Sequence, residues 1–100
     1  MNLTVAKRKF YELRAMNRID VCTEHVIDGH PERGYTFDEV VSLVKAARGT
    51  FEDTTDIQFR GARFYWRTQD IDEHLVRLVI EFEEDDQGNL ILVVSAGERR

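Results

Sequence analysis

Histidine is the side chain that most readily gives and takes a proton near neutral pH, and this 100-residue chain has three: His25, His30 and His74. Each is equally of the type that sits half-packed at a surface without a chemical role. Cys22, His25 and His30 offer a thiolate and two imidazoles, ligands that suit zinc, but their spacing completes no four-ligand pattern without Glu24, Asp28 or a distant residue. No glycine-rich phosphate loop, serine elbow or paired HExxH ligands occur. Phosphotransfer, acyl transfer and metalloprotease chemistry therefore have no support, and no metal or cofactor is expected. The more informative set is Arg63, Tyr65 and Arg67, which alternate along one stretch and so share one strand face. Guanidinium forks bind phosphate in pairs of hydrogen bonds and a tyrosine ring gives a base something to stack on, so the trio suits single-stranded RNA. A strand face bearing long charged side chains for solubility is the plainer alternative.

These residues need elements to hold them. Between residues 3 and 17, Leu3, Ala6, Phe10, Leu13 and Met16 recur at helical spacing with basic residues between them. Thr23 is placed to cap a short second helix that must stop near Gly29, because Pro31 disfavours helical geometry in His30. Thr36-Phe37-Asp38-Glu39 is a capping box, and the helix it opens should run to about Arg48, with Gly49 supplying a left-handed terminus. From Phe59 the period becomes two. Ala62, Phe64 and Trp66 alternate with the trio; Val76, Leu78, Ile80 and Phe82 alternate with Arg77, Val79 and Glu81; Leu90, Leu92 and Val94 alternate with Ile91, Val93 and Ser95. Residues 69–73 and 84–89 are short enough for hairpins, and residues 50–53 could add an edge strand.

The expected fold is α+β, with two or three N-terminal helices packed on one face of a three- to four-stranded antiparallel meander. Residues 1–100 form one domain in this reading: an N-terminal helix over 1–20, a helical segment over 23–49 and a sheet over 50–97. One sheet face makes the core with Phe37, Val40, Val41 and Val44. The other mixes three arginines and a tyrosine with Val79, Ile91 and Val93, a combination that calls for a cover: the N-terminal helix, a protein partner or a second copy of the chain.

Composition narrows the function classes. With 42% hydrophobic and 33% charged residues, six glycines and one proline, the chain is neither disordered nor fibrous. Its longest uncharged apolar stretch, Leu90 to Ala96, is too short to span a bilayer, so no membrane role is expected. A single cysteine excludes an internal disulfide and fits a cytoplasmic setting. Charge is polarised: residues 1–22 carry five basic and two acidic side chains, whereas residues 70–100 carry three basic and nine acidic. A net charge of −5 argues against coating nucleic acid through the whole field and leaves a local basic patch as the route to RNA.

The run Thr23-Glu24-His25-Val26-Ile27, followed by Pro31-Glu32-Arg33-Gly34-Tyr35-Thr36-Phe37-Asp38-Glu39-Val40-Val41, resembles the opening of a small bacterial family of unknown function. That family is grouped with the barnase, EndoU, colicin and RelE-like ribonucleases. The ending Leu92-Val93-Val94-Ser95-Ala96-Gly97-Glu98-Arg99 is similar to the closing strand and Ser-Ala-Arg end of BrnT-type toxins, with Gly97-Glu98 intervening. The resemblance implies a RelE-like fold and metal-free cleavage of RNA, free or on the ribosome, under control of an antitoxin. It assigns catalysis to His25, Arg33 and Arg67, RNA binding to Arg63, Tyr65 and Arg99, and leaves Val79, Ile91 and Val93 as a partner-binding strip. Acidic charge and a longer N-terminal helix depart from that pattern. The alternative is a non-enzymatic interaction domain, such as a phage or mobile-element accessory protein, in which the same face binds protein.

Overall fold

The computed structural model describes residues 1–21 and 35–96. Their order is α1 (Leu3–Ala15), β1 (Ile19–Val21), α2 (Phe37–Val44), β2 (Thr50–Asp53), a 3-10 turn (Ile57–Phe59), β3 (Arg63–Gln69), β4 (Leu75–Glu84) and β5 (Leu90–Ala96). The fold is α+β: two α-helices among the described residues, and a five-stranded mixed sheet in the order β1-β5-β4-β3-β2. β2 to β5 form the expected antiparallel meander. The expected sheet has to be corrected at one edge, where β1 pairs parallel to β5 with Ile19 opposite Leu92 and Val21 opposite Val94. Residues 19 and 20 therefore leave the N-terminal helix, and the anticipated second helix near Thr23 lies outside the described residues.

α1 starts where the Asn2 side chain accepts a hydrogen bond from the Val5 amide, and it buries Ala6, Phe10 and Leu13, one stripe at helical spacing. It stops at Ala15, short of the expected end at residue 20, as Asn17 turns left-handed and Arg18 N–H donates to the Leu13 carbonyl at 2.9 Å. Arg18 then pins the parallel edge: its Nε donates to the Leu90 carbonyl at 2.9 Å and its guanidinium pairs with Asp85.

α2 opens on the complete capping box, Thr36 accepting from the Glu39 amide and Glu39 accepting from the Thr36 amide. It ends at Val44, a turn earlier than its Ala46-Ala47 sequence suggests. Arg14 accounts for the early stop, since its Nη1 donates to the carbonyls of both Val44 and Ala46 at 3.2 Å, placing a cation at the negative end of α2. Phe37, expected in the core, is largely exposed and Val41 is half-buried. Gly49 is not a left-handed terminus either. Its backbone sits against the Trp66 ring, so close that a Cβ there would lie 2.3 Å from Cζ2.

Both helices pack on one sheet face. Phe10 meets Trp66 and Phe51 at 4.9 Å between centroids, Phe51 stacks on Phe64 at 5.4 Å, and the fully buried Leu78, Ile80, Leu92, Val40 and Val44 complete the core. Each such side chain contributes about 1.5–3 kcal/mol by leaving water. Two buried donors fix α2 and its exit loop to the sheet: Trp66 Nε1 to the Leu43 carbonyl at 2.9 Å, and Thr68 Oγ1 to the Arg48 carbonyl at 2.7 Å.

The two hairpins use one device. Asp70 and Asp85 each occupy the first loop position, where one carboxylate oxygen accepts from the amides two and four residues on, all at 2.9 Å. The fourth loop position is left-handed in both, Glu73 at φ 64° and Gly88 at φ 80°.

Candidate functional site

The N-terminal helix does not cover the second sheet face, as one expectation had it; α1 and α2 both lie on the core side. The face left uncovered among the described residues is set by register. Arg63 stands opposite Glu81, Tyr65 opposite Val79 and Arg67 opposite Arg77, while Val79 pairs with Ser95, Glu81 with Val93 and Glu83 with Ile91. Asp20 on β1 and Glu52 on β2 extend the same face to its edges, through pairs with Val93 and Tyr65. The sequence therefore put Arg63, Tyr65, Arg67, Val79, Ile91 and Val93 on a common face correctly, because a period of two leaves no choice once the core side is known. All except Arg67, which is exposed, are half-buried.

The arginines on this face are held rather than loose. Arg77 lies over the Tyr65 ring, 4.5 Å from its centroid, and Arg63 over Phe59 at 3.9 Å. The Nε atoms of both arginines are shielded from solvent and have no hydrogen-bond partner among the described residues. Tyr65 Oη in turn lies 3.3 Å from Thr54 Oγ1, and Arg67 Nη1 lies 3.5 Å from Glu52 Oε1. Charge separates along the strands: Arg67 and Arg77 stand toward the β3–β4 hairpin, while Glu81, Glu83 and Asp20 stand toward the opposite end.

At the basic end the face borders a cleft of about 710 Å³, lined by residues 46–50 and by the start of the β3–β4 hairpin. Arg48, Arg67, Arg77, Gln69 and Leu75 line it together with Glu52. Sequence reading placed Arg77 on the face without assigning it a role, and it missed the contribution of the loop after α2 because residues 46–48 were expected to continue the helix.

His25, Arg33 and Arg99, with Cys22 and His30, lie outside the described residues. His74 sits on the β3–β4 hairpin, its Nδ1 3.5 Å from Asp70 Oδ2. Asp70, Asp72 and His74 bring three ligand atoms within 4.8 Å of one another. Asp70, however, is committed to the turn, accepting from the His74 and Asp72 amides and, at 3.0 Å, from the Tyr35 hydroxyl. Burial pushes its carboxyl up, but these hydrogen bonds outweigh that and hold it below the ordinary carboxylate range. Asp85 is also held low, chiefly by the Asn89 amide and then by Arg18.

The chain matches no protein-family model, no curated protein and no solved structure. None of the described helices is long and apolar enough to cross a membrane.

Proposed function

We propose that the uncovered sheet face binds single-stranded RNA and that the protein is a RelE-superfamily-like toxin, a metal-free RNA endonuclease neutralised by an antitoxin. The observation that carries this reading is the field formed by Arg63, Tyr65, Arg67 and Arg77 on a face that neither helix covers. Guanidinium groups already stacked on rings lose little freedom on meeting phosphate, and the aliphatic Val79 and Val93 beside them give bases an apolar floor. The reaction that fits is attack of a ribose 2′-hydroxyl on the adjacent phosphorus. A base takes the hydroxyl proton, an acid returns a proton to the departing 5′-oxygen, and the products are a 2′,3′-cyclic phosphate and a 5′-hydroxyl. On the family resemblance His25 serves as the acid or base, Arg33 and Arg67 neutralise charge on the phosphorane, and Arg63, Tyr65 and Arg99 hold the strand.

A second reading, a non-enzymatic protein-interaction domain, is favoured by the strip of Val79, Ile91 and Val93 flanked by Glu81, Glu83 and Asp20. Inducible expression in a bacterial host separates the two. Growth arrest with broken RNA, lost in His25→Ala and in Arg67→Gln, is the result expected of the endonuclease. Normal growth with intact RNA in all three strains would refute it and leave the interaction domain.

A further inference from the structure

We infer that the cleft at the basic end of the sheet is a pocket for a nucleoside phosphomonoester, either a free nucleotide or the phosphorylated end of an RNA strand. This deepens the RNA-binding reading of the face and, for the RNA end, rests on it.

Arg67 and Arg77 stand directly across from one another on β3 and β4, on the same face. Like charges at that position repel, with Cβ atoms only about 4.5–5.5 Å apart. The compensation is slight. Glu52 reaches Arg67 at 3.5 Å, but both side chains are more than a third exposed, and a pair of that kind is nearly neutral in water. Arg77 has no carboxylate within 4 Å among the described residues; the Tyr65 ring alone holds it. Two arginines at opposed positions, one with its guanidinium fixed on a ring, match the two negative charges of a phosphate monoester better than the single charge of an internal phosphodiester. Arg48, on the loop that lines the cleft, adds a third.

The rest of the cleft fits a nucleoside. Leu75, more than half exposed, offers an apolar wall for a sugar or base, and the Gln69 amide stands beside it to meet a base edge. A volume of about 710 Å³ falls within the range of small-molecule sites. The second acid in the lining, Asp70, is turned to its own hairpin and to Tyr35.

The test is binding of short labelled RNAs that differ only at their ends: a 5′-monophosphate, a 3′-monophosphate and an unphosphorylated octamer, with a nucleoside 5′-monophosphate as competitor. One phosphorylated octamer should bind at least tenfold more tightly than the unphosphorylated one. That increment, and competition by the mononucleotide, should vanish in both Arg77→Gln and Arg67→Gln. The exposed Arg67 site keeps the test valid should Arg77→Gln disturb the strand. Equal affinity for all three octamers, without competition, would overturn the pocket and leave RNA binding standing. Mononucleotide binding that both variants lose, with no octamer bound at all, would support the pocket and refute the RNA face. An increment that survives both substitutions would overturn the assignment of the arginines.

Discussion

Gly49 ties the core to the cleft, and replacing it with alanine tests whether that junction is as tight as the distances say. A Cβ at residue 49 falls 2.3 Å from Trp66 Cζ2 and 2.7 Å from both Cε2 and Cη2. The ring has nowhere to go: it is 1% exposed, its Nε1 donates to the Leu43 carbonyl, Phe10 packs on it at 4.9 Å and the Arg14 guanidinium lies 5.5 Å from its centroid. Overpacking a fixed site costs about 1–3 kcal/mol, and three clashing ring atoms put Gly49→Ala near the upper end, about 2–3 kcal/mol. Trp66→Phe shortens the side chain by the fused benzo ring that carries those contacts. It costs about 1–3 kcal/mol on its own by leaving the Leu43 carbonyl without its donor. In the Trp66→Phe background Gly49→Ala should then cost under about 1 kcal/mol, so the double variant is more stable than the sum of the single changes predicts by about 1–2 kcal/mol. Urea unfolding followed by far-UV circular dichroism gives all four corners, fluorescence being unsuitable because Trp66 is the one tryptophan. Additive effects within about 0.5 kcal/mol would refute the contact.

Three further outcomes follow from particular residues. Asp85, held low by the Asn89 amide and Arg18, stabilises the fold above the pKa of its unfolded counterpart, and that contribution is lost as pH falls through the folded value. The thermal midpoint of the wild type should therefore exceed that of Asp85→Asn at neutral pH and converge with it in acid below the ordinary carboxylate range; parallel pH curves would contradict this. Glu73 adopts φ 64° where the sister hairpin has Gly88, so Glu73→Gly should raise stability by about 0.5–1 kcal/mol, read from the urea midpoint. Val93→Asp, on the half-buried outer face, should leave the fold intact by circular dichroism while weakening RNA binding less than Arg67→Gln does; the reverse order would favour the protein-interaction reading.

Much of this fold was legible because local chemistry and tertiary structure agree. Thr36 and Glu39 announce α2, and the alternation through Phe64, Leu78 and Leu92 fixes which side of each strand is buried, which in turn gathers Arg63, Tyr65 and Arg67. What escaped depends on partners far away in the chain. β1 has three residues, too few to display a period, and exists because Leu92 N–H finds the Arg18 carbonyl at 3.0 Å. The helix-forming Ala46 and Ala47 lie outside α2 because Arg14 takes the carbonyls at its end and Thr68 holds the Arg48 carbonyl to the sheet. The cleft inherits its shape from that override, so neither its loop nor the pairing of Arg77 with the Tyr65 ring could be read from spacing alone.

The most direct test of the RNA-binding face is methyl-resolved NMR of the labelled protein titrated with single-stranded RNA. Val79, Ile91 and Val93 point to the uncovered side, while Val40, Leu92 and Val94 are buried between the helices and the sheet. Binding on the proposed face predicts shifts in the first three methyl groups, diminished in Arg67→Gln, with the second three unmoved. Shifts confined to α1, whose Lys7, Arg8 and Lys9 form the other basic cluster, or no shifts at all, would contradict it.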